Sequence, residues 1–297
     1  MIPRILVVFK KSAFQIYVAE HGDEHVRELV ERRSPVVANL LLAHREHEHC
    51  LATVRRVLDR MRVRVTYRYR SRKFATRGYD LVVTVGGDGT LLEAARSIES
   101  TPVMSVNSSP SRSIAAFSAC TAATFGDRLA EHLVGRAKVT ALARLAISID
   151  DPPQRARALN DVLLCHRNPA AMSRYRIAHG DHHEEQRSSG VWVATACGST
   201  AGIRSAGGRI AALRSQRLQF RVREIFRPPG RDHRLMAGFI APWDHLDVIS
   251  EMRQGVAFVD GPHRVLTWSL GAKARLSLDP SPLQVVGLSE ERRRLFG

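Results

Sequence analysis

Apolar positions in the first half of the chain fall into short runs separated by longer periodic stretches. Ile5-Leu6-Val7-Val8-Phe9 is uninterrupted and reads as a buried first strand. Apolar residues then recur at helical spacing over roughly residues 24–61, with Pro35 as the place for a break. Val63, Val65, Tyr67 and Tyr69 alternate, which predicts a strand with one apolar face. Leu81-Val82-Val83-Thr84-Val85 has the pattern of a strand buried on both faces of a parallel sheet. A helix over about residues 90–97, a strand over 102–106 and a helix over about 122–133 follow. Strands alternating with helices predict an α/β layered sheet.

The second half has another rhythm. Residues 144–149, 160–165, 173–179, 190–196, 218–223, 256–259 and 274–278 are short and β-prone. Asp150-Asp151-Pro152-Pro153, Gly180-Asp181, Pro228-Pro229-Gly230 and Asp260-Gly261-Pro262 punctuate them as turns. The fold expectation is therefore α/β plus all-β, with an α/β domain over residues 1–143 and a β-rich domain from 144.

Composition narrows the classes. With 297 residues and 44% hydrophobic content, the chain can bury a core of one large or two smaller domains. No apolar run reaches the roughly 20 residues of a membrane helix. The first residues lack the features of a targeting segment, so a cytoplasmic protein with no membrane partner is expected. The four cysteines, Cys50, Cys120, Cys165 and Cys197, show no C-x-x-C spacing, so no metal ligands and no redox pair are assigned. The net charge of +16 suits polyanionic partners. Its arginines are dispersed along the chain and no nucleic-acid motif accompanies them, so a solvated basic surface is expected and no nucleic acid partner.

Chemistry concentrates at Gly86-Gly87-Asp88-Gly89-Thr90, between the doubly buried strand and the next helix. Chain leaving the carboxyl end of a parallel strand enters the crevice where α/β sheets bind ligands. Gly86, Gly87 and Gly89 can take positive φ and let a phosphate approach the backbone, the helix N-terminus favours an anion, and Thr90 is placed as N-cap. Asp88 would repel phosphate unless it has a task, either as general base or in holding Mg²⁺. No Gly-Lys-Ser/Thr follows, so this is not a Walker loop.

That turn resembles the signature shared by NAD kinases and lipid kinases. Further segments resemble the NAD kinase family in its order: Leu159-Asn160-Asp161-Val162, Gly198-Ser199-Thr200-Ala201 with Ser205-Ala206-Gly207-Gly208, residues 218–224, and Val259-Asp260-Gly261. The stretch Asn107-Ser108-Ser109-Pro110-Ser111-Arg112-Ser113 is similar to the mitochondrial-type branch, as is Phe9-Lys10-Lys11-Ser12. The resemblance implies a Rossmann-like N-terminal domain and a β-sandwich-like domain over 144–270, with the active site in the cleft between them. It also implies that residues 271–297 return to the first domain.

The implied reaction moves the γ-phosphate of ATP to the 2′-hydroxyl of the NAD adenosine ribose, with Mg²⁺ as cofactor, in a homo-oligomer. Asp88 matches the base. Gly86, Gly87, Gly89 and Thr90 match the phosphate turn. Asn160 and Asp161 match the pair holding ribose hydroxyls, and Thr200, Ala201 and Ser205 match contacts to the adenine half. Asn107, Lys10, Lys11 and Arg112 are candidates on the donor side. The lysines follow the first strand, and a solvated basic residue is the plain alternative for each cation.

Four departures stand out: Asp161 for the usual glutamate, Gly202 for a common tyrosine, Ser189 for aspartate, and Cys197 within a Thr-Pro-Thr stretch. They bear on acceptor affinity and on NAD against NADH. The alternatives are a lipid kinase of the same superfamily, lacking here its Gly-Thr-Gly-Asn-Asp stretch, and a non-catalytic dinucleotide sensor.

Other signals get plainer readings. His44, His47 and His49 are expected on a solvated helical face. Residues 181–185 are expected in a hairpin turn, Trp192, Trp243 and Trp268 in the core, and residues 290–294 in a frayed helix end.

Overall fold

The structure is a computed structural model and describes residues 2–230 and 232–288. The chain divides into two compact units. One comprises the residues up to Thr140 and the described residues from Gln284; the other runs from Ala141 to Leu283.

The first unit is built on β1 (Arg4–Phe9), α1 (Glu24–Glu31), α2 (Pro35–Arg60), β2 (Arg64–Tyr69), β3 (Leu81–Gly86), α3 (Asp88–Ala95), β4 (Val103–Asn107), β5 (Cys120–Thr121) and α4 (Phe125–Leu133). Strands β4, β3, β1 and β2 lie side by side in that order and all are parallel. The expected long helix is two: Pro35 opens the second one, where its missing N–H costs nothing. Cys50, Leu51, Val54 and Leu58 of α2 pack with Phe125 and Leu129 of α4 against Ile5, Val7, Val83 and Val85 of the sheet. Every residue of β3 is buried, as its unbroken apolar run requires.

The register places the strand ends together. Phe9 pairs with Tyr69 and with Val85, and Gly86 pairs with Asn107. The residues that follow, Lys10, Arg70, Gly87 and Ser108, therefore leave the sheet at one carboxyl edge.

The second unit carries β6 (Val139–Ile149), β7 (Gln154–Ala158), β8 (Asp161–His166), β9 (Ser173–His179), β10 (His182–Ser188), β11 (Gly190–Ala194), α5 (Gly202–Ser205), β12 (Leu218–Arg223), β13 (Ala237–Ile240), β14 (His245–Ser250), β15 (Gly255–Val259), β16 (Val265–Thr267) and most of β17 (Lys273–Val286). One sheet runs β13-β12-β11-β8-β15-β16, and the other places β10, β9, β14 and β17 side by side, with β6 and β7 continuing from β17. Val162, Leu164, Val191, Val193 and Phe220 of the first sheet and Tyr175, Ile177, Leu246, Val248 and Leu276 of the second share one core. This is the β-sandwich.

Several details differ from the sequence reading. The return to the first unit begins at Gln284, not near 271, because His245 to Ile249 of β14 pair with Lys273 to Ser277 of β17 inside the second unit. Residues 182–185 are strand rather than turn, since β10 pairs with all of β9. Trp268 is fully buried, but Trp243 is 88% exposed on a loop. His47 is not solvated: it is 1% exposed, and its Nε2 lies 2.8 Å from the carbonyl of Lys10. The expected frayed end at 290–294 lies outside the described residues.

No helix among the described residues is long and apolar enough to cross a membrane.

Candidate active site

Gly86 ends β3, Gly87 caps α3 with extended backbone, and Asp88 opens the helix. None of the three turn glycines has positive φ. Their requirement is space. A Cβ on Gly86 would collide with Thr90 Oγ1, and one on Gly87 would stand 3.1 Å from Ser113 Oγ. Gly89 is exposed and leaves the backbone open to a ligand. Thr90 is not the N-cap but lies in the first turn, its N–H donating to the Gly87 carbonyl at 2.9 Å. Its Oγ1 is buried without a hydrogen-bond partner among the described residues.

Asp88 is half-buried, not sealed in the interior. Its two carboxylate oxygens accept the backbone N–H groups of Ala116, at 2.9 Å, and Phe117, at 3.0 Å. These bonds orient the group. The segment that supplies them is itself anchored at the carboxyl edge. Buried Asn107 donates to the Ser113 carbonyl at 2.8 Å and accepts from the Ser109 N–H at 3.1 Å. Ser109 Oγ donates to Glu46 of α2 at 2.6 Å. Hydrogen bonds from Ser109 and Ser111 hold the Glu46 carboxyl below its usual range. Asn107 thus shapes the loop that orients Asp88.

The cations expected on the donor side divide. Lys11 pairs with Glu20 at 2.5 Å and lies over the Tyr69 ring. Arg112 is exposed on the loop. Lys10 is half-buried, and its ammonium is held below the lysine range by burial and by Arg70. Sequence reasoning missed Arg70, whose only signal was its place one residue after β2. It also missed His47, which fixes the Lys10 backbone and is held below the usual histidine range, chiefly by burial.

In the second unit three sequence segments meet. Asp260 accepts the N–H groups of Leu159, Asn160 and Asp161 on its carboxylate and returns its own N–H to the Asp161 carbonyl. Thr195 donates from its backbone to the Asn160 carbonyl at 2.9 Å and from Oγ1 to the Leu159 carbonyl at 2.5 Å. Gly198 packs so closely on the Asn160 backbone that a Cβ there would collide with it. Asn160 and Asp161 are thereby fixed beside the turn that leads to Thr200 and Ala201, both half-buried, and to the exposed Ser205.

Asp161 is 6% exposed, and burial, then the Asp260 charge, pushes its carboxyl up to about 7. Asn160 Oδ1 is buried with no hydrogen-bond partner among the described residues. An unsatisfied acceptor beside a carboxyl suits the vicinal hydroxyls of a ribose. Asp260 entered the sequence reading only as part of a motif, because its three acceptor bonds join residues about a hundred positions apart.

Gly202 has a local cause. A Cβ there would lie 2.7 Å from Cζ2 of Trp192 on β11. The half-buried indole fills the space that a side chain at 202 would need.

A parallel sheet, a glycine turn running into a helix N-terminus and an oriented carboxylate define an α/β phosphotransferase of the non-Walker kind. Residues 2–133 match the family model of the ATP-NAD kinase N-terminal domain. A probable NADH kinase of Oryza sativa subsp. japonica is 34% identical over 229 residues, which cover 70% of this chain and 70% of that protein. An NADH kinase of Arabidopsis thaliana is 35% identical over 244 residues, 73% of this chain and 77% of that one. The chain belongs to the NAD kinase family.

The solved structure of an NAD kinase from Archaeoglobus fulgidus in complex with ATP shares its fold, with a TM-score of 0.69 at 20% identity over 99% of this chain and 97% of that one. Yeast NADH kinase complexed with NADH gives 0.67 at 18% identity, over 98% and 85%.

Proposed function

We propose that this kinase makes NADP by moving the γ-phosphate of ATP onto the 2′-hydroxyl of the adenosine ribose of NAD. The observation that carries the reading is Asp88: a half-exposed carboxylate held by two backbone N–H groups at the first turn of α3, directly after the glycine pair.

In this reading the turn and the N-terminus of α3 receive the phosphates. Asp88 accepts the proton of the 2′-hydroxyl as its oxygen bonds to the γ-phosphorus, and the bond to the ADP oxygen breaks. Asn160 and Asp161 hold ribose hydroxyls, and Thr200, Ala201 and Ser205 border the adenine half.

Mg²⁺ fits as an ion carried by the nucleotide. Among the described residues no cluster of three or more His, Cys, Asp or Glu could hold one. Mg²⁺ held by phosphate oxygens and waters needs few protein ligands. When bound, the ion would neutralise phosphate charge.

A second reading takes NADH as acceptor. It is favoured by the two plant relatives, both NADH kinases by name. The relatives do not favour a lipid kinase or a catalytically silent sensor. The deciding experiment measures NADP or NADPH formation from ATP with NAD and NADH in parallel. NADP formation supports the reading, a rate with NADH alone replaces it with the second, and no product with either overturns both.

A further inference from the structure

We infer that Arg70, acting with Lys10, binds the polyphosphate chain of the donor nucleotide. The inference rests on the kinase reading and extends it to a side chain that no motif singles out.

Arg70 follows β2, and β2 is separated from β3 by β1. At about 4.8 Å per strand, its backbone starts roughly 10 Å from the strand that feeds the turn. The side chain nevertheless runs back across the end of β1 to α3. Its Nε lies 3.0 Å from Glu93 Oε2, and its Nη1 stands 3.9 Å from where a Cβ on Gly89 would be. The backbone N–H of Arg70 donates to the Phe9 carbonyl at 2.9 Å, and that of Lys10 to the Val85 carbonyl at 3.3 Å. Both residues therefore leave the same carboxyl edge and on the same side of β3, Lys10 from the neighbouring strand and Arg70 from the one beyond it.

Burial, and after it the nearby Arg70 guanidinium, hold the Lys10 ammonium below the lysine range. Among the described residues Glu93 is the one carboxylate within ion-pair distance of Arg70, and Lys10 has no ion pair. The positive end of the α3 dipole points to the same place. The pairing with Glu93 is also incomplete, because Arg70 Nε is buried without a hydrogen bond among the described residues. Two half-buried cations and a helix N-terminus share this edge with Glu93 and Asp88, and Glu93 engages Arg70 alone, so a multiply charged anion would give both cations a common partner. A planar guanidinium beside an exposed glycine can reach two oxygens of one phosphate chain.

The test uses the full chain with inorganic tripolyphosphate as probe. Its affinity is measured by calorimetry, and the KM values for ATP and for the dinucleotide are measured separately. Arg70→Ala is expected to weaken tripolyphosphate binding by about 10-fold or more and to raise the KM for ATP in step, with the dinucleotide KM unchanged. Arg70→Lys should recover part of the loss. Glu93→Gln removes the ion pair but frees Arg70, and should keep or tighten tripolyphosphate binding.

Unchanged tripolyphosphate affinity in Arg70→Ala overturns the inference. So does equal weakening by Arg70→Ala and Glu93→Gln, the signature of an ion pair that only braces α3. If the wild-type chain forms no NADP yet loses tripolyphosphate binding with Arg70→Ala, the kinase reading falls and the phosphate site stands.

Discussion

Asp161 lies buried against Asp260, and the two carboxyls divide their roles. Asp260 spends its carboxylate on the N–H groups of Leu159, Asn160 and Asp161, at 2.8, 2.7 and 3.2 Å. Asp161 bears the cost: burial first and the Asp260 charge second push its carboxyl up to about 7.

The consequence for stability has a definite sign. Between about pH 4 and about 7 the folded chain keeps the Asp161 proton while the unfolded chain has lost it. Stability from this group is present below that window and declines as the pH rises through it. Asp161→Asn should flatten this part of the pH profile in urea denaturation and stabilise the chain above pH 7. Activity should follow the same titration: the dinucleotide KM of the wild type should change across about pH 7 while the KM for ATP does not. A profile identical in wild type and Asp161→Asn would rule this out.

Asp88→Asn should lower kcat by about 10²- to 10⁴-fold if the carboxylate is the base. The substitution also touches the fold. A carboxamide has one oxygen, so its NH₂ would face the N–H of either Ala116 or Phe117, at a cost of about 1–3 kcal/mol. Denaturant midpoints and steady-state rates measured together separate the effects. Turnover that survives in a folded variant removes Asp88 from the base role.

Gly202→Ala should destabilise the second unit by about 1–3 kcal/mol, because its Cβ meets the Trp192 indole at 2.7 Å. In a Trp192→Ala background the same change should cost less, the non-additivity expected of residues in contact. Equal costs in both backgrounds would show that the indole yields freely.

What could be read from the chain followed from how local each cause is. The unbroken apolar run of β3 announces burial on both faces, and the glycine turn after it announces a ligand site, because both effects act within a few residues. Strand β10, His-His-Glu-Glu-Gln-Arg-Ser, was not legible. It is an edge strand whose inward positions are Gln186 and Ser188, so it carries no apolar alternation. His47 was misread for a related reason: its neighbours along the helix are charged, but its own side faces the end of β1.

By itself the sequence determined the two kinds of architecture, the glycine turn that carries Asp88 and the family, all of which rest on contiguous residues and their spacing. Only the tertiary structure decided that Ala116 and Phe117 orient Asp88, that Asp260 gathers Leu159 to Asp161, that Trp192 dictates a glycine at 202, and that Arg70 reaches Gly89. Those relationships join residues tens of positions apart, and a hydrogen bond or a steric collision depends on distances of a few ångströms that only the packed strands set.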